Sequence, residues 1–168
     1  MSDMRLFGQE LHDFLVELTS SGKGETTTER RNAETLRLLY QKFSENDLDS
    51  AARLLTEDYE GLDVPSGEIA RGRDGWRRRQ EANRAPLPDA KTEIKFLSVK
   101  GDFAVAEVIN RGTHTVPLPL PDGSSLPPSG RKIEALSCEL YEFRDGAISR
   151  GRLYYDFLTV MQQLGLPV

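Results

Sequence analysis

The chain has 168 residues, 27 acidic and 22 basic side chains, a formal net charge of −5 and a hydrophobic fraction of 38%. That length suits one domain with one core, and the acidic balance argues against a protein that tracks a nucleic-acid phosphate backbone. One cysteine, Cys138, excludes an internal disulfide and fits a reducing, cytoplasmic setting.

In chain order, "RLFGQELHDFLVEL" (5–18) sets Leu6, Leu11, Phe14, Leu15 and Leu18 at helical spacing. The polar, glycine-containing "TSSGKGETTT" reads as a linker, so residues 1–27 form an N-terminal helix and linker and residues 28–168 the main domain. "TERRNAETLRLLYQKFSEND" places Leu36, Leu39, Tyr40 and Phe43 on one helical face. Asn46 or Asp47 can cap a short helix through "LDSAARLL". "EDYEGLDV" is a short extended piece. "RDGWRRRQEANRA" is a third helix stopped by Pro86, and its Arg77-Arg78-Arg79 run reads as a solvated face.

From residue 91 the period becomes two. "AKTEIKFLSVKGD", "FAVAEVINRGTHTV", "RKIEALSCELYEF" and "AISRGRLYYD" read as strands, with the "RDG" turn between the last two. The Pro-rich "PLPLPDGSSLPPSG" reads as a loop. Cys138 falls in an apolar strand pattern and is expected to be inert core. Helices followed by a meander give an α+β fold, here a curved antiparallel sheet closed into a half-open cone by three helices. Such a cone has a pocket between sheet and helices. No apolar stretch spans a bilayer, no signal-peptide core opens the chain, and His12 and His114 have no ligand-spaced partner, so no metal is expected.

Five stretches in order, "PLPDAKTEI", "GDFAVAEVINRGTHT", "PPSGRKIE", "YEFRDGAI" and "DFLTVMQQLGLP", resemble SnoaL-like polyketide cyclases (ester cyclases) of the nuclear transport factor 2-like superfamily. The resemblance implies a cofactor-independent pocket enzyme of cyclase or isomerase type. It would act by acid/base chemistry on a small polycyclic or ester-bearing secondary metabolite, as in intramolecular aldol ring closure. It also implies a homodimer paired through its sheets, with no nucleic-acid or membrane partner. Two positions depart from the family pattern. Counting back three from Asp156, which opens the last helix, the catalytic aspartate's place holds Leu153. Six residues before the Asp145-Gly146 turn, a family histidine's place holds Glu139.

Asp156 reads as a helix N-cap or as an acid at the pocket mouth. Glu139 shares a strand face with Ser137, Tyr141 and Phe143, and reads as a relocated base or as an ion-pair partner of Arg111 or Arg152. His114 orients a substrate oxygen or pins the following loop. Tyr59, Trp76, Tyr141, Leu153 and Tyr155 are expected to bind substrate as pocket wall, with Tyr155 facing the same way as Leu153. The loss at Leu153 favours a competing class, a non-catalytic small-molecule-binding or assembly protein. A dehydratase or epoxide hydrolase is a third possibility on the same fold.

Overall fold

The fold is described from a computed structural model of the chain over residues 26–120 and 123–166. The expected helix at 5–18 lies outside these residues. Helix α1, Thr27–Ser44, opens on a capping box: the Thr26 hydroxyl accepts the Glu29 N–H at 3.2 Å and the Glu29 carboxylate accepts the Thr26 N–H at 2.9 Å. Two backbone donors without intrahelical partners are thereby satisfied. The other Glu29 oxygen accepts the Gly101 N–H at 3.1 Å, tying the helix to a distant turn. Leu36, Leu39 and Tyr40 are buried on one face, as their spacing requires.

Helix α2, Leu48–Ala52, is capped by Asp47, whose carboxylate accepts the Ser50 N–H at 3.2 Å. Helix α3, Gly72–Arg84, ends before Pro86 and buries Trp76, Arg79 and Arg84. The last helix, α4, Phe157–Leu164, stops at Gly165, whose φ of +93° is the left-handed conformation that favours glycine. Among the described residues no helix is long and apolar enough to cross a membrane.

Six strands form the main sheet: β1 Leu55–Asp63, β2 Ile69–Arg71, β3 Lys91–Lys100, β4 Phe103–Thr113, β7 Lys132–Arg144 and β8 Ala147–Tyr155. Their order is β2-β1-β8-β7-β4-β3. Strands β3, β4, β7 and β8 pair antiparallel, as expected. The difference lies at β1, a full nine-residue strand that runs parallel to β8, so the sheet is mixed. A parallel pair needs a long crossover, and helix α3 with the whole meander lies between these two strands. Register shifts in β3 and at Glu142/Phe143 mark bulges, which bend a sheet. The Pro-rich segment, expected to be loop, contains a two-residue hairpin of β5, Leu118–Pro119, and β6, Ser125–Leu126.

The core fills the space between helices and sheet. Leu36, Ala51, Leu55, Tyr59, Trp76, Ala106, Val108, Phe143 and Ile148 are all buried there. The opposite face of the sheet is open among the described residues, with Phe103, Val105, Leu136 and Tyr154 exposed. Cys138 is also on this outer face, not in the core, because strand alternation turns it away from its neighbours Ser137 and Glu139.

Candidate active site

A cavity of about 350 Å³ opens between α1, α3, α4 and the inner face of the sheet. Tyr59, Trp76, Tyr141, Leu153 and Tyr155, the five expected wall residues, all line it, and so does Glu139. Strand β8 explains why Leu153 and Tyr155 share the cavity: residues two apart point the same way. Gly61 and Gly151 are cross-strand partners. A Cβ at either would come within 2.3 Å or 2.6 Å of the Tyr59 hydroxyl oxygen, so these two glycines make the groove in which that phenol lies.

Glu139 is the centre of the polar part. Its Oε2 accepts the Tyr40 hydroxyl at 3.2 Å and also the Tyr141 hydroxyl in a very short bond. Its Oε1 accepts the Ser137 hydroxyl at 3.3 Å. Ser137 in turn accepts from the Asn110 amide at 3.4 Å, and the Asn110 carbonyl oxygen accepts the Thr92 hydroxyl. A polar track thus crosses three strands and ends at the carboxylate. Burial pushes the Glu139 carboxyl above its ordinary value, against the opposing hydrogen bonds from Tyr141, Tyr40 and Ser137. Burial, then the charge of Glu139, raises the Tyr141 and Tyr40 hydroxyls as well. Arg111 does not pair with Glu139; it bonds Glu93 and Glu134 at 2.5 and 2.6 Å.

The register places Glu139 directly across from Leu153 on the β7–β8 ladder. On the other side of β8, Asp63 of β1 is also paired with Leu153. The leucine therefore has a carboxylate on each neighbouring strand, and all three residues line the cavity. Asp63 is buried, and its Oδ1 accepts the Ser66 N–H at 3.1 Å.

The other two expected acid/base residues lie elsewhere. Asp156 is exposed and caps α4: its Oδ1 accepts the Thr159 N–H at 3.0 Å and its Oδ2 the Thr159 hydroxyl at 2.6 Å. Those bonds hold its carboxyl below the ordinary value. His114 is wholly buried but is not among the cavity-lining residues. Its Nδ1 faces the Ser129 hydroxyl at 3.0 Å and accepts the Ser129 N–H at 3.3 Å, while its carbonyl accepts the Gly130 N–H at 2.9 Å. It pins the Pro-rich segment back onto the sheet.

A family model of SnoaL-like polyketide cyclases matches residues 33–164. The chain belongs to the SnoaL-like polyketide cyclase family. The crystal structure of a candidate SnoaL-like cyclase from Jannaschia sp. CCS1 matches with a TM-score of 0.76 at 20% identity, over 88% of this chain and 100% of that one. IdmH, a candidate polyketide cyclase from Streptomyces antibioticus, matches at 0.68 and 26% identity, over 80% and 99% of the two chains. A protein of ketosteroid isomerase-like fold from Catenulispora acidiphila, solved with trimethylamine, matches at 0.66 and 18% identity, over 80% and 94%. No curated protein matches the chain.

Within this SnoaL-like cavity, sequence reasoning missed Tyr40, Asp63 and Arg79. Tyr40 was legible only as a core position on α1. Asp63 depends on a parallel pairing with a strand far along the chain. Arg79 read as part of a solvated run, yet it is only 8% exposed. Its spacing of three from Trp76 was the available signal, since such residues share a helix face.

Proposed function

We propose that the chain is a SnoaL-like ring-closing enzyme in which Glu139 is the general base. Its substrate would be a small polycyclic or ester-bearing metabolite carrying a carbonyl next to an acidic C–H. The observation that supports this is the placement of Glu139: in the cavity, directly across the ladder from Leu153, with a carboxyl raised by burial. A base of raised pKa matches a carbon acid better than a fully solvated carboxylate does.

Oε2 is held by two phenols, whereas Oε1 has the Ser137 hydroxyl as its side-chain donor and retains a lone pair for a substrate proton. In the proposed step, Glu139 takes a proton from the carbon beside the carbonyl. The resulting enolate carbon attacks a second carbonyl of the same molecule, forming a C–C bond. The new alkoxide then takes back the proton, so the carboxylate is regenerated. Proton transfers alone balance this reaction.

Proton abstraction can be read without the natural substrate. The wild-type protein should accelerate exchange of the α-protons of 2-tetralone in D2O, followed by NMR. Glu139→Gln should lower that acceleration by about 10²–10⁴-fold, the usual worth of a positioned acid or base. An unchanged rate in Glu139→Gln would overturn the assignment. No acceleration by the wild-type protein would favour a non-catalytic binding role, which Leu153 also suits.

A further inference from the structure

Helix α3 buries two arginines to the same extent, each 8% exposed, and treats them differently. Arg84 is held by three backbone carbonyls. Its Nη1 donates to Phe43 at 2.9 Å and Ala90 at 2.7 Å, and its Nη2 to Pro88 at 3.0 Å. Its guanidinium also lies 5.3 Å from the centre of the Phe43 ring.

Arg79 has one such bond, from Nη1 to the Gly61 carbonyl at 3.0 Å. Its Nε is buried with no hydrogen-bond partner among the described residues. The two acids that share its cavity are engaged elsewhere. Asp63 accepts the Ser66 N–H, and Glu139 accepts Tyr40, Tyr141 and Ser137. The charge of Arg79 lowers the Glu139 carboxyl, but burial outweighs it. A guanidinium withdrawn from water without a paired anion is costly, and the cost is met when a ligand brings the anion.

The neighbours of Arg79 suit that use. Burial pushes the Tyr59 hydroxyl up to about 12, with Arg79 acting against it by charge and by hydrogen bonding. Tyr59 therefore remains a neutral phenol, a second donor next to the fork of the guanidinium. Trp76, Leu153 and Phe157 give the wall an apolar and aromatic part, beside the polar side chains of Asp63, Gln80 and Asn83.

Taking the cavity as the ligand site, as above, we propose that Arg79 is a binding residue for a carboxylate, so that the ligand is an aromatic or polycyclic acid and not a neutral molecule. The planar fork of a guanidinium matches a carboxylate through two parallel N–H···O bonds. The acid group would sit at the α3 wall, and the rings would extend over the sheet toward Glu139.

Binding of 2-naphthoate and of its neutral isostere 2-naphthamide, measured by calorimetry on the full chain at neutral pH, tests this. The wild-type protein should bind naphthoate about tenfold or more tighter than naphthamide, as expected for a charge-assisted pair. Arg79→Met should remove that preference and keep the naphthamide affinity. Arg79→Lys, which keeps a cation but loses the fork, should weaken naphthoate by about threefold or more and leave naphthamide alone. It serves as the test if the methionine variant does not fold. Equal affinities in the wild-type protein, no naphthoate binding at millimolar concentration, or a preference retained in the Arg79 variants would each overturn the proposal. Loss of proton exchange in Glu139→Gln with the naphthoate preference intact would separate the anion site from the base.

Discussion

The carboxylate at Glu139 and the one at Asp156 are both acids near the end of the same domain, and their surroundings give them opposite properties. Glu139 is ringed by hydroxyls inside a cavity and its carboxyl is raised by burial. Asp156 is exposed, bonded to the first turn of α4, and its carboxyl is lowered. Asp156→Ala should lower the melting temperature by a few degrees through loss of the cap. It should leave naphthoate binding and ketone exchange unchanged; a loss of exchange without a loss of stability would contradict the capping role. At this scale the sequence was partly legible. Alternation along β7 put Glu139 with Ser137 and Tyr141, and that face does line the cavity. The Tyr40 and Arg79 contributions were hidden because both come from helices, whose packing angle on the sheet cannot be read from local periodicity.

Elements are held to one another by a few polar joints. Glu29 is the clearest: it closes the capping box of α1 and also binds the turn between β3 and β4, with Lys100 3.4 Å away. The backbone N–H groups of Thr26 and Gly101 hold its carboxyl down, from 4.5 to about 2. A carboxyl with a lower pKa in the folded state favours folding above its unfolded pKa, and that contribution is lost as pH falls. The window here runs from about 4.5 down to about 2. Melting curves across it should show a shallower loss of stability in Glu29→Gln than in the wild-type protein; parallel curves would show that the joint does not matter. Glu139 acts in the other direction, since a raised carboxyl costs stability as pH rises through its titration. The helices among the described residues and the four long strands were legible because each has an unbroken period and a turn or cap at its end. Strand β1 was underread: its partner β8 follows a long crossover, and short-range pattern carries no register for a parallel pair.

For the molecule as a whole, the sheet is a single layer with a cavity on one side and, among the described residues, exposed apolar side chains on the other. Phe103 is 63% exposed and Leu136 is 55% exposed, and Val105 and Tyr154 share their face. A patch of this kind on a folded protein is a place for association, and a second copy of the chain is the expected occupant. Sedimentation should give a dimer at micromolar concentration, and Leu136→Glu should shift it to the 18.9 kDa monomer. A wild-type monomer would count against pairing through this face. One residue turns the arrangement into a gauge. Cys138, the chain's one thiol, projects from this outer face one peptide unit from Glu139. Partial burial and the charges of Glu107 and Glu139 raise its pKa, so it reacts slowly even when open to water. Pairing of two copies would shield it further. Its rate of modification by a soluble disulfide reagent should therefore fall as protein concentration rises. A ligand that displaces the Glu139 side chain should alter the same rate from the opposite side of the strand. The native sulfur would thus report on assembly and on cavity occupancy through one backbone.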